Sequence, residues 1–461
     1  MIRPLMQAEW LRFRSHPGNR WIIATFLLVF LLNAAWSGWT AREHRHQQVA
    51  EAQAWRTMLE HERSGLLGTP KAGESLEQKA RTAFEFARHG SPPAQLPTLG
   101  GLTLGTTALK LLSPVSHVTV TNRQADDRKS ETLTNPRLEA IGEIDFATLT
   151  ALLLPILCIC LCYGLLQEDR ASGIWRLTTM THPQAWQVLG ASLLIRWCVV
   201  LLCLALPSAL AFGLDPGASL LAYLSWIAAG AGFAAIWIIL GGLACLLPVS
   251  AGASASALLA VWIVSSFVLP ATLSVQGDAK APSRMASIAA LRVIQLDVDE
   301  QAPALLAQWY AQNADTTVPR QSHVWPVSFM PRYTEESLRA RAIFRRFDAY
   351  RATRDSRLAA WALVSPPIGL LDIADRLAGI DAARYHRYAL AVDDYEDRWR
   401  DYLTPRIMFY RGLTPADLDA LPTFAFSSAP TSVAWPLVRL WVSALVLLLT
   451  FLLFRHHANT P

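Results

Sequence analysis

Residues 146–166 read FATLTALLLPILCICLCYGLL, and this stretch decides the fold. It carries no charged side chain. A helix rises about 1.5 Å per residue, so the stretch reaches across a hydrocarbon core about 30 Å thick. Working outward, residues 21–39, 188–212, 219–246, 254–273 and 437–454 are apolar runs of comparable length, with Arg196 and Arg439 the charged side chains among them. Four of these spans lie close together between 146 and 273. The first and last stand apart, behind two long polar segments, residues 40–145 and 274–436. The pattern predicts an all-α polytopic membrane protein: six transmembrane helices and a mostly helical extracytoplasmic domain built from two long loops. It excludes most soluble-enzyme readings.

Composition agrees. The chain is 52% hydrophobic and 17% charged, whereas soluble domains run near 25% charged. The net charge is only +5, and no Lys/Arg run resembles a nucleic-acid arm. The six cysteines, Cys158, Cys160, Cys162, Cys198, Cys203 and Cys245, all fall inside expected spans. There they read as small buried hydrophobes. Alternate residues point about 200° apart on a helix, so Cys158, Cys160 and Cys162 are badly placed to share a metal. The first apolar stretch reads as an uncleaved span. It is longer than a signal core, Trp36 and Trp39 bracket its end, and no A-x-A site follows.

Orientation follows from charge. Residues 1–20 hold Arg3, Arg12, Arg14 and Arg20 against Glu9. The connection 167–187 holds Arg170 and Arg176, and the tail 455–461 opens with Arg455. The opposite short loop, 213–218, has neither Lys nor Arg. The positive-inside rule places both termini in the cytoplasm and the long loops outside it, as expected for a bacterial inner-membrane protein with periplasmic loops.

The outer segments carry helical patterns. The first begins as a charged helix continuing span 1, with Val49, Ala52, Trp55 and Leu59 on one face. A second helix is predicted over 75–88 and a strand over 115–121. In the second segment, Thr334 before Glu335 and Glu336 marks a helix start, followed by Ala340, Ile343, Phe347 and Tyr350. Tyr388, Val392, Tyr395, Trp399 and Tyr402 then recur at helical spacing. That stripe reads as a core seam, with an aromatic surface for a substrate or partner as the alternative. Asp393, Asp394, Glu396, Asp397 and Asp401 on the same helix read as a solvated face, as do His44 and His46 on theirs. The two loops start and end at spans, so they are expected to pack as one domain.

No G-x-x-x-x-G-K-[ST] phosphate loop, H-E-x-x-H zinc motif or G-x-S-x-G elbow is present. The chain is not expected to act as an enzyme or to bind a cofactor or metal itself. Three membrane-proximal features carry more information. Trp10, Arg12, Phe13 and Arg14 suit a helix lying in the cytoplasmic interface, or a plain positive anchor. The connection QEDRASGIWRL, 167–177, reads as a structured loop able to dock a soluble partner, or as a solvated link. Arg196 lies inside span 3, where a charge costs about 2.5–3.5 kcal/mol on insertion scales. It should face the bundle interior, in an ion pair or lining a substrate path. Glu143 and Asp145, at the outer end of span 2, are its candidate partners only if Arg196 snorkels that way.

Glu168 through Leu177, after a span ending Tyr163-Gly164-Leu165-Leu166, resembles the E-x-x-x-x-G-x-x-R-L signature of ABC type-2 (exporter-type) permeases. Asn135-Pro136, Gly142, Asp145, Ser365-Pro366, Ala378-Gly379 and Pro405 resemble one branch of that family. This branch bears a large extracytoplasmic insertion, a domain of unknown function, between spans 5 and 6. Ile174 departs from the usual Thr, and the charged cluster is shorter, which leaves the detailed contacts open. The resemblance implies a dimeric membrane core, as homodimer or heterodimer with a second permease. It also implies a separate ABC ATPase subunit that binds ATP and Mg. Glu168, Asp169, Arg170, Gly173, Trp175 and Arg176, with the interfacial helix, would make the ATPase contact.

Three functions are therefore carried forward. The first is a permease subunit coupling ATP hydrolysis to export or extraction of a substrate. The second is ATP-driven mechanical transmission to an extracytoplasmic protein partner without substrate passage. The third is an ATPase-independent membrane scaffold or enzyme.

Overall fold

The computed structural model describes residues 2–67, 75–112, 114–121, 144–181, 186–278, 281–313, 325–427 and 429–454. A short helix, α1 (Ile2–Ser15), leads into α2 (Pro17–Leu67). Pro17 suits the first turn of α2, where its missing N–H would have no partner anyway. The bundle continues with α5 (Phe146–Cys162), α6 (Leu165–Ala171), α7 (Ile174–Thr181), α8 (Trp186–Leu214) and α9 (Leu220–Leu246). It is completed by α10 (Ala251–Ile263), a π turn (Val264–Val268), α11 (Leu269–Asp278) and, at the C-terminal end, α17 (Ala434–Phe454). Six of the helical stretches are long and apolar enough to cross a membrane: Pro17–Leu67, Phe146–Ala171, Trp186–Leu214, Leu220–Leu246, Ala251–Val275 and Ala434–Phe454. The chain is an all-α, multi-pass membrane protein.

Burial within the bundle is uneven. In α9 67% of the apolar window is buried, against 11% along Ala251–Val275. The hub is therefore α9, whose Trp226, Phe233 and Trp237 meet Phe30 and Phe146 in the core. α10, α11 and α17 leave apolar faces outward. Apolar tails solvate helices as well as leucine does, so close packing must hold the bundle together. Gly38 shows how: a Cβ there would sit 2.7 Å from the Ala211 carbonyl oxygen, so only glycine lets α2 approach α8.

The two long segments form one body with its own core, as the sequence suggests. It contains α3 (Leu76–His89), β1 (Ala94–Gln95), β2 (Val115–Ser116), α12 (Arg284–Gln312), α13 (Met330–Ala360), α15 (Ala382–Met408) and α16 (Pro415–Asp419), while α4 (Thr106–Leu111) packs near Ala41 of α2 and α14 (Pro366–Ala378) packs into the bundle. Tyr388, Val392, Tyr395 and Trp399 of α15 are all at most 1% exposed. The stripe is the seam of this core and not a surface. Trp399 Nε1 donates to the Ala87 carbonyl at 2.8 Å, and the Tyr388 hydroxyl donates to Ala94 O at 2.6 Å. These bonds tie the second segment to the first. α2 reaches this body as an unbroken helix of 51 residues, about 75 Å long at the helical rise. Trp55 Nε1 donates to Gly90 O, and Arg63 pairs with Asp419.

Several expectations need correction. Cys198 is exposed and not buried, and His44 is half-buried and not on a solvated face. Val49 is 57% exposed, because the inward face of α2 runs through Ala41, Arg45, Gln48, Ala52 and Trp55 instead. The strand over 115–121 shrinks to β2, antiparallel to β1 with Ala94 opposite Ser116. α13 begins at Met330, with proline in its first turn, and not at Thr334. Glu396 is not solvated: at 2% exposed it lies between Arg400 and Arg341. Asn135-Pro136, Gly142, Glu143, His182-Pro183 and Arg455 lie outside the described residues.

α14 was legible only as part of the second loop. Its Leu370, Ile373 and Ala374 are buried in the bundle core, and the Ser365 hydroxyl donates to Ser265 O of the π turn at 2.8 Å. A 13-residue helix is too short to signal a span.

Candidate functional site

The elements meet at the end of the bundle that carries α1. α1 ends at an elbow held by Asn19, whose Nδ2 donates to Phe13 O at 3.1 Å. The elbow lays α1 against α8. Phe13 is 5% exposed, and its ring stacks on Trp10 at 6.0 Å between centroids. The other neighbour of that ring is Arg196, whose Cζ lies 5.3 Å from the centroid. A guanidinium over an aromatic face is held by the ring quadrupole, more strongly where water is excluded.

Arg196 is 7% exposed. Its Nε donates to Leu161 O at 2.7 Å, and its Nη1 donates to Ser192 Oγ at 2.5 Å and Ser192 O at 3.0 Å. Carbonyl and hydroxyl oxygens, with the Phe13 ring, therefore satisfy this cation. No carboxylate is paired with it among the described residues. Asp145 is not its partner, because it caps the opposite end of α5 by accepting from Thr148 N at 2.8 Å. Arg196 reaches toward Leu161, near the α6 end of that helix.

The turn after α5 depends on Gly164, at φ +77°, in the left-handed region that glycine enters freely. It redirects the chain into α6. Gln167 is buried there, donating to Ser254 Oγ at 2.8 Å and Ala244 O at 3.1 Å, and so fixes α6 to α9 and α10. Asp169, also buried, accepts from Arg12 Nη2 at 2.5 Å. Arg12 in turn lies 3.9 Å from Glu9. The Asp169 hydrogen bond raises the Arg12 pKa above its ordinary value, while partial burial pulls the other way.

Gly173, at φ +74°, breaks α6 from α7. Trp175 then buries against the bundle at 3% exposed. Ile174, Leu177 and Met180 do the reverse, being 54%, 64% and 70% exposed on the other side of α7. Glu168 and Arg176 are also exposed and make no ion pair among the described residues. The connection thus presents an apolar strip between two free charges.

The structure brings Arg12 to Asp169 and Phe13 to Arg196, which joins the interfacial helix, the connection and span 3 in one assembly. It leaves Glu168, Arg176 and Arg14 facing outward, with Arg170 half-buried. Sequence reading missed Gln167, Glu9 and Asn19. Each is a polar residue beside an apolar run, with no periodic signal to single it out. No group of three or more His, Cys, Asp or Glu residues is placed to hold a metal ion among the described residues.

The second body has its own groove, about 510 Å³, between α12, α13 and α15. Arg284, Arg345 and Arg351 line it beside Ile288, Phe344 and Tyr385.

Residues 284–427 match a family model described as a domain of unknown function, DUF3526. The match covers α12 through α16 and ends short of α17. It lies outside the α6–α7 connection, and its description names no activity. No curated protein matches the chain. No solved structure matches it either.

Proposed function

We propose that this chain is the transmembrane permease subunit of an ABC transporter. A separate ATPase subunit would bind ATP and Mg, dock on α6 and α7 at the cytoplasmic side, and drive export or extraction of a substrate. The observation that carries the reading is the exposed strip Ile174, Leu177 and Met180, rigidly backed by Trp175, Gln167 and the Arg12–Asp169 bond. An exposed apolar patch rimmed by charge is the mark of a protein contact. A push on it would pass through Asp169 to α1, and through Phe13 and Arg196 to span 3. The second body would lie outside the cytoplasm and meet the substrate or a protein partner. The core is proposed to be a dimer, with α10 and α11 among the faces still uncovered.

One observation favours the second reading, mechanical transmission. α2 is a single helix from the α1 elbow to the distant core, and Arg45 clamps its middle to Asp215 at 2.5 Å. A rod of this kind can carry motion outward without a passage for substrate.

The test is purification of the tagged chain from its own host's membranes together with any ABC ATPase subunit it holds. Charge reversal at Glu168 and Arg176 should reduce the ATPase bound and the ATP hydrolysed by the complex. Retention of both would refute docking at this surface.

A further inference from the structure

A groove of about 250 Å³ runs between α1, α2 and α8. Its walls are apolar: Phe13 from α1, Ile23 and Leu27 from α2, and Val199, Leu202 and Leu206 from α8. The α8 residues span two helical turns, about 10 Å at the helical rise. Leu202 is 60% exposed and Leu206 57%, so the groove is open along its side. In a membrane that side faces acyl chains. Arg14 and Arg20 line it as well, through the aliphatic stems of their side chains. Both are exposed, and neither makes an ion pair among the described residues. The neighbouring charges do not answer them: Glu9 and Asp169 are both engaged with Arg12. Arg20 directly precedes the apolar run 21–39, so its charged head is free to reach the headgroup layer when the apolar walls are immersed.

We propose that this groove is a binding site for one anionic phospholipid of the bilayer. The acyl chain would lie along Leu27, Leu202 and Leu206, and the phosphodiester would be held by Arg14 and Arg20. Apolar walls alone accept any lipid. Two exposed arginines beside the groove, neither in an ion pair among the described residues, select for negative charge, because a guanidinium fork matches phosphate oxygens. The site also has a consequence. Phe13 is both a wall of the groove and the ring over Arg196, and Trp10 stacks on it. A bound lipid therefore packs behind α1 and supports the position in which Arg12 meets Asp169. On the permease reading, which this consequence alone rests on, the lipid is a positive regulator of coupling.

The test is binding, which does not depend on transport. The full chain in phosphatidylcholine nanodiscs would be titrated with spin-labelled phosphatidylglycerol or spin-labelled phosphatidylcholine, reading the motionally restricted fraction. The wild type should prefer phosphatidylglycerol. Arg14→Gln with Arg20→Gln should lower that preference by up to about thirtyfold, as expected for two arginines near a membrane surface. Leu202→Trp, which fills the groove and keeps both arginines, should lower restricted phosphatidylglycerol as well. Arg3→Gln, which removes a charge from the same helix away from the groove, should leave the preference intact. The proposal is overturned if the wild type shows no preference, if Leu202→Trp binds as before, or if Arg3→Gln matches the loss at Arg14. If the lipid binds as expected but ATP-driven activity ignores it, the site stands and the regulatory consequence falls.

Discussion

Arg12 and Asp169 stand 157 residues apart in the chain, yet Nη2 of one donates to Oδ1 of the other at 2.5 Å. The bond joins the helix before span 1 to the connection after span 2. Its energy is modest, because the Arg12 side chain is 49% exposed and solvent screens it. Such a pair contributes about 1 kcal/mol or less. Its importance is positional. Asp169→Asn should barely change thermal stability in detergent, whereas Arg12→Ala leaves the buried Asp169 carboxylate without its donor and should cost about 1–3 kcal/mol. On the permease reading both should sharply reduce ATP-driven activity. The exchanged pair, Arg12→Asp with Asp169→Arg, should recover part of it. Equal losses in the singles and the exchange would show that the pairing itself does not matter.

Arg196 is the opposite case, buried and bonded to backbone. Arg196→Met strands the Leu161 and Ser192 oxygens and removes the cation under Phe13. Losing charged hydrogen bonds of this kind should cost about 1–3 kcal/mol, seen as a lower melting temperature. Arg196→Lys should not rescue it, because one ammonium lacks the fork that reaches Leu161 O and Ser192 Oγ together. Full rescue by lysine would mean that charge alone is required.

In the second body, Arg400 Nη2 meets Glu396 Oε1 at 2.6 Å, Ser337 Oγ at 2.7 Å and Thr121 O at 2.7 Å. Glu396→Ala would leave the buried Arg400 with only the more distant, half-exposed Asp397 at 4.0 Å, at a cost of up to about 3 kcal/mol. Glu396→Gln keeps an acceptor and should cost less. Unfolding followed by Trp399 fluorescence reads the difference. An unperturbed Glu396→Ala variant would contradict the buried pairing.

Asp417 supplies a pH dependence. Partial burial pushes its pKa up, but hydrogen bonds from Thr414 and Arg406 outweigh this and hold it below the usual carboxylate value. A group depressed on folding contributes stability above its unfolded pKa, and that contribution is lost as pH falls through the folded pKa. The segment around α16 should therefore loosen as the solution is acidified below about pH 4. Hydrogen exchange of residues 414–419 across that range should show it, and Asp417→Asn should flatten the response. An unchanged acid profile in the variant would assign the effect elsewhere.

The spans were legible because an unbroken apolar run of membrane length rarely forms anything but a transmembrane helix. The seam Tyr388–Trp399 was legible because its period matches a helix. What sequence could not supply was pairing between distant segments. Arg196 announced itself by its cost, but its partners turned out to be a carbonyl, a serine and Phe13 in place of the acids nearest in composition. Glu396 looked like its solvated neighbours, since nothing local reveals that Arg341 and Arg400 enclose it. α14 hid for the reason that made the spans clear: it is too short to cross, so its burial depends on the bundle it lies against.

The central claim is that an ATPase subunit docks on α6 and α7. It is tested most directly by purifying the tagged chain from its own host's membranes and measuring vanadate-sensitive ATP hydrolysis of the eluate. The account predicts that the wild type carries that activity. It also predicts that Leu177→Asp, an exposed position whose change leaves the bundle core intact, loses it together with the ATPase subunit. An eluate with no ATP hydrolysis in the wild type, or a Leu177→Asp variant that keeps its ATPase, would contradict it.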